Sequence, residues 1–138
     1  LRIIQAGATY RAVAARVRAA ERRYAGEAGD AAKRRLVRSQ TAWLLFHAAT
    51  DKGAAFPTVE RRFRELRVRS SGYVPGDMVK YVLFAYHCGR CGRAATGIGL
   101  LEGLWTRLER LRGRVSEGYL RPCRGQVREA LRQLRKAQ

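Results

Sequence analysis

The chain has 138 residues, the length of one domain, and its dominant physical property is a formal charge of +18 from 29 Lys and Arg against 11 Asp and Glu. Self-repulsion of that size opposes compaction unless counterions or polyanions neutralise it, so the expected partner is a polyanion. With eleven acids in all, and no recognisable Ser-His-Asp set, phosphate loop or paired carboxylates, the sequence does not read as an enzyme.

Residues 1–20 contain Arg2, Arg11, Arg16 and Arg18 and no acid, the composition of a basic organelle-targeting extension. The sequence does not begin with Met, which fits removal of a longer presequence, and the expected address is the mitochondrial matrix. The same stretch places Tyr10, Val13, Val17, Ala20 and Tyr24 three and four apart, and that spacing predicts the buried face of a first helix. Gly26 and Gly29 break it, and Asp30 is suited to cap a second helix running to about Thr50. Lys33, Arg34, Arg35 and Arg38 crowd the start of that helix, while Trp43, Leu44, Leu45 and Phe46 crowd its end. Its start is therefore expected at solvent or phosphate and its end in a core that holds His47. Residues 51–57 read as a loop, and Thr58 as the cap of a short helix that turns Val59, Phe63 and Leu66 inward and Arg61, Arg62, Arg64, Arg67 and Arg69 outward.

Ser70-Ser-Gly-Tyr-Val-Pro-Gly76 is the longest run of turn formers; we read it as a turn within one domain spanning residues 1–138, with Asp77 as the next cap. Residues 77–115 are the least polar long stretch. Leu100, Leu101, Leu104, Leu108, Leu111 and Val115 share a helical face that Arg107, Arg110, Arg112 and Arg114 avoid. Val79, Val82, Leu83 and Tyr86 also fit helical spacing, although so apolar a run is compatible with a buried strand. Gly118 and Pro122 are expected to stop this central helix, and Val127, Leu131 and Leu134 to line a final short one. The fold expected is all-α, a small domain of about five helices with a long central helix and basic helices flanking it.

Phe84-Ala-Tyr-His-Cys-Gly-Arg-Cys91 locally resembles the active-site segment of the thioredoxin family, over about ten residues. The resemblance implies Cys88 as nucleophile and Cys91 as resolving thiol at a strand-to-helix junction, with Arg90 in place of the usual Pro. Cys-Gly-Arg-Cys-Gly is also similar to half of a zinc knuckle, for which Cys123 with His87 or His47 would complete four ligands with Cys88 and Cys91. The third reading, and the one adopted, is packing: small residues near Gly89, Gly92, Gly97, Gly99 and Gly103 that let helices approach closely, with no cofactor. Three cysteines without paired spacing favour a reducing compartment.

The charge is uneven. Residues 1–38 and residues 107–138 each hold ten basic and three acidic side chains, whereas residues 70–106 hold three and two. Basic ends around a near-neutral centre fit a structural RNA-binding component of a large ribonucleoprotein, a mitochondrial ribosomal protein, that contacts rRNA phosphates and neighbouring proteins. The residues expected on phosphate are Arg22, Arg23, Arg34, Arg35, Arg38, Arg61, Arg62, Arg64, Arg121, Arg124, Arg128, Arg132 and Arg135. The alternative is an accessory subunit of a mitochondrial inner-membrane respiratory or ATP synthase complex. For that reading residues 81–105 have the length of a span and Gly99-Leu-Leu-Glu-Gly103 the form of a helix-packing motif, against which Arg90 and Arg93 weigh.

Overall fold

The computed structural model describes residues 9–68 and 74–138, and these form six α-helices with no strand among them. The chain divides between residues 69 and 70 into two compact units, each described by itself.

In the first unit α1 (Tyr10–Glu27), α2 (Ala31–Asp51) and α3 (Phe56–Val68) follow one another, α2 packing on both neighbours. Thr9 opens α1, its hydroxyl accepting from the Ala12 amide at 3.2 Å, and Asp30 opens α2 by accepting from the Lys33 amide at 2.8 Å. The core is small. Val13, Ala14 and Val17 of α1 meet Leu45 and Ala48 of α2, with Tyr10 and Leu44 at the margin. Phe46, fully buried, has its ring 6.1 Å from that of Phe63 on α3. Tyr24, expected on the buried face, is 55% exposed. Helix α3 begins at Phe56, before Thr58, because the Ala55 carbonyl already accepts from the Thr58 and Val59 amides. Pro57 sits in the first turn, where its missing N–H costs nothing.

The second unit is α4 (Val74–Arg90), α5 (Ala94–Arg110) and α6 (Glu117–Lys136), each packed on the other two. Helix α4 includes Pro75, Gly76 and Asp77, so the expected turn overlaps its start and Asp77 is not its cap; residues 69–73 lie outside the described residues. The apolar run at residues 80–86 is helix. The central helix is two helices rather than one. Gly92, at φ +71°, reverses the chain after α4 in a Schellman arrangement: Arg93 N–H donates to the Cys88 carbonyl at 2.8 Å and Gly92 N–H to the Gly89 carbonyl at 3.2 Å. Helix α5 ends at Arg110, ahead of Gly113 at φ +82°, not at Gly118 or Pro122. Both of those lie inside α6, which is 20 residues long where a short helix was expected. Its length follows from its pattern: Leu120, Cys123, Val127, Ala130, Leu131 and Leu134 are all buried on one face, and this continuous stripe outweighs the single amide bond lost at Pro122.

Of the five glycines expected to admit close helix contact, one does. A Cβ on Gly97 of α5 would lie 2.5 Å from Leu134 Cδ2 and 3.0 Å from the Ala85 carbonyl oxygen, so α4, α5 and α6 converge there. One on Gly89 would make ordinary contact with Leu134, and Gly92, Gly99 and Gly103 face open space.

Candidate nucleic-acid interface

Helix α6 carries the most regular array of charge. Arg121, Arg128, Arg132 and Arg135 are separated by seven, four and three residues, and at 100° per residue they fall in one row along about 21 Å of helix. All four are exposed. The row borders a cleft of about 270 Å³ between α5 and α6, lined by Glu102, Trp105, Arg128, Leu131 and Arg135. The Arg128 guanidinium lies over the Trp105 ring, 5.5 Å from its centre, which holds the cation on a rigid surface. Arg132 pairs with Glu129 and Arg135 with Glu102 at 3.5 Å; the side chains remain 52% and 57% exposed, so the pairs are weak and open to exchange with phosphate. The Arg132 guanidinium, with Gln133 beside it, holds the Glu129 carboxyl down to about 2. Trp105 carried no role in the sequence pattern. Its signal was the position of Arg128, which only the α5–α6 pairing relates to it.

Arg124 differs from the rest of the helix. It is half-buried and bonded to Glu117, whose carboxyl it holds below the ordinary carboxylate range, so it braces the first turns of α6.

In the first unit Arg22, Arg23, Arg34, Arg35 and Arg38 are exposed on α1 and α2, as are Arg61 and Arg64 on α3. Arg23 reaches Glu27 at 3.5 Å and Arg64 reaches Glu60 at 2.9 Å. Arg62 is the exception, and the structure removes it from the phosphate-facing set. It is 5% exposed, donating from Nε to the Tyr10 hydroxyl at 2.8 Å and from Nη1 to the Glu65 carboxylate at 3.0 Å. Burial opposes its charge, and the bonds to Tyr10 and Glu65 together outweigh that, so its pKa lies above the ordinary arginine value. The spacing held the signal: Arg62 stands three residues after Val59 and four before Leu66, within the inward stripe. Arg62→Met is expected to lower the urea midpoint, because the Tyr10–Arg62 link ties α1 to α3 and Glu65 loses its partner, by about 1–3 kcal/mol in stability. An unchanged urea midpoint would show that the Tyr10–Arg62–Glu65 link contributes nothing to stability.

The cysteine motif occupies the wrong end of a helix for the chemistry its resemblance implies. Cys88 is fully buried in the last turn of α4, and Cys91 lies just beyond it, exposed. A helix C-terminus presents carbonyl oxygens, which disfavour a thiolate, whereas redox cysteines use the N-terminal amides. No strand leads into the motif. Burial pushes the Cys123 thiol up. Among the described residues no three His, Cys, Asp or Glu side chains come together as a metal site. His87 is 4% exposed with Nε2 3.4 Å from Cys91 Sγ, and burial with the nearby Arg90 charge lowers its pKa. His47 is half-buried, edge-on to Trp43 at 4.6 Å between ring centres.

No helix among the described residues is long and apolar enough to cross a membrane. Residues 81–105, the length of a span in the sequence, are interrupted at Cys91-Gly92-Arg93. Comparison of the chain with protein-family models, curated proteins and solved structures finds no match.

Proposed function

We propose that the protein is a structural RNA-binding component of a large ribonucleoprotein, and specifically of a mitochondrial ribosome on the matrix side. The observation that supports it most is the row of exposed arginines along α6, set beside an indole, in a chain of charge +18. A row of guanidinium groups about 21 Å long matches the spacing of successive phosphates rather than a small ligand. Each phosphate neutralised frees condensed counterions, giving affinity that is indifferent to sequence and weakens steeply with salt. Guanidinium suits this role because it grips phosphate oxygens bidentately. Exposed arginines on α1, α2 and α3 add further phosphate contacts, and the arginine-rich, acid-free composition of residues 1–20 supports the mitochondrial address.

The test is a salt titration with unrelated single-stranded and duplex RNAs. The logarithm of the affinity is expected to fall linearly with the logarithm of salt, by about 0.7 per phosphate contacted on a single strand, and the RNAs are expected to differ little. Replacing Arg121, Arg128, Arg132 and Arg135 with Gln is expected to reduce the slope by about 2–3 while leaving the helical signal intact, since all four are exposed. A flat salt response in the unaltered protein would sink the proposal. Sedimentation of the native protein with ribosomal particles tests the assembly.

A further inference from the structure

We infer that the polar recess between α1, α2 and α3 binds a phosphate group, either free phosphate or the phosphate that ends a monoester. The inference does not rest on the RNA reading of α6. The recess holds about 230 Å³ and is walled by Ala42 and Leu45, both buried, and by six polar or charged side chains. These come in pairs three residues apart, one pair from each helix: Arg18 and Glu21 on α1, Arg38 and Thr41 on α2, Arg62 and Glu65 on α3. That spacing turns both members of a pair to one face of their helix.

Two of the six are more than nine-tenths buried and keep hydrogen-bonding capacity that the protein does not use. Arg62, 5% exposed, donates from Nε to Tyr10 and from Nη1 to Glu65, while its Nη2 makes no bond among the described residues. Thr41 is 7% exposed, and its hydroxyl is likewise unbonded. Neither atom is sealed from solvent, and both residues line the recess. Buried polar groups are normally satisfied, so two unused ones in one recess mark a place for a ligand. Arg62 thus stays outside the exposed arginines of the helix surfaces and serves what enters the recess.

The lining selects an oxyanion. Arg18 and Arg38 are exposed and make no ion pair among the described residues, and guanidinium nitrogens only donate, so a ligand that answers all three arginines must bring acceptor oxygens. Against the three arginines stand two glutamates, of which Glu65 already accepts from Arg62 Nη1 through both oxygens, at 3.1 and 3.0 Å. Glu21 is the opposing charge left unpaired among the described residues. Donors arriving from three helices suit a tetrahedral group better than a planar carboxylate, which a single guanidinium fork satisfies. The recess has the volume of about seven waters, enough for a phosphate with water beside it. A phosphate inside an RNA chain is flanked by sugar on both sides, which keeps it from side chains this deeply buried; a free or terminal phosphate has no such bar.

The test titrates inorganic phosphate into the full chain by calorimetry at about 0.15 M sodium chloride, where exposed charges are largely screened. One saturable site is expected. Arg38→Gln, and Thr41→Val, which keeps the side-chain shape and removes the hydroxyl, are each expected to weaken it about tenfold. Arg16→Gln, exposed on α1 and outside the recess, is expected to leave it unchanged. Glu21→Gln is expected to tighten it about threefold, because the unpaired opposing charge is gone, a gain that a purely structural role would not give. Competition by one short RNA, made with and without a phosphate on its first nucleotide, identifies the source. Displacement by the phosphorylated form alone assigns the site to RNA ends, and displacement by neither assigns it to free phosphate or a small ester; both results support the inference. Equal displacement by both forms, the lack of a saturable site, or equal weakening by Arg16→Gln and Arg38→Gln overturns it. None of these outcomes bears on the α6 row, which stands or falls by its own salt titration.

Discussion

Gly97→Val is expected to destabilise the second unit by about 3 kcal/mol or more, read as a lower urea midpoint in circular dichroism. Gly97 is the point at which α5 meets both α4 and α6. Of the atoms a Cβ would strike, Leu134 Cδ2 at 2.5 Å is the end of a flexible side chain and can rotate away. The Ala85 carbonyl oxygen at 3.0 Å and Ala85 Cα at 3.3 Å are backbone of α4, and they can retreat only if the helix moves. Gly97→Ala sets this cost against the roughly 1 kcal/mol that alanine adds to a helix interior, and the rigid neighbour leaves a net loss of about 1 kcal/mol. Valine adds two methyl groups to the same contact and lowers helix propensity relative to alanine. Gly99→Ala and Gly103→Ala serve as controls on the same helix. Each faces open space, so each is expected to raise stability by about 0.5–1 kcal/mol. If Gly97→Val unfolds at the unaltered urea midpoint, the close approach of α4 and α5 is wrong.

Phe46→Ala is expected to cost about 3–5 kcal/mol in the first unit. Phe46 has no exposed surface, and its ring lies 6.1 Å from both Trp43 and Phe63, so it joins the aromatic end of α2 to α3. The buried residues beside it along α2 include the short side chains Ala42, Ala48 and Ala49. Short side chains cannot reach into a cavity of that size, so little of the loss is recovered by collapse. Phe46→Leu retains part of the volume and is expected to cost less than half as much. The urea midpoint and the near-ultraviolet signal of Trp43 report the change, and an unchanged midpoint for Phe46→Ala would show that α3 is held by other contacts.

The sequence by itself determined the helical class, the buried faces of α3, α5 and α6 and most of the exposed charge; on α4 the stripe Val79, Val82, Leu83 and Tyr86 is not the buried one, since Val79 is 44% exposed and Met78, Tyr81, Phe84, Ala85 and Cys88 are buried instead. Val59, Phe63 and Leu66 on α3, Leu101, Leu104 and Leu108 on α5, and Val127, Leu131 and Leu134 on α6 are buried as their spacing requires. This is local information, since a 3.6-residue period fixes which side chains share a face whatever that face meets. Asp30 was legible as a cap for the same reason: its carboxylate satisfies an amide three residues away.

Only the tertiary structure decided where the helices end, which small residues are contacts, and which arginines belong to the protein's own interior. The Gly92 turn and the continuity of α6 through Pro122 depend on how much apolar surface the flanking helices bury, which a local preference cannot weigh. Gly97, Gly99 and Gly103 are indistinguishable in the sequence, yet of the three only Gly97 lies where the α4 backbone at Ala85 and the Leu134 side chain of α6 arrive. Arg62 and Arg61 are neighbours in the chain, but Tyr10, 52 residues away from Arg62, accepts a bond from one of them and draws it inside. Trp105 and Arg128 stack only because α5 and α6 pair. In each case the deciding partner is distant in sequence, and distance along the chain carries no record of contact until the helices have packed.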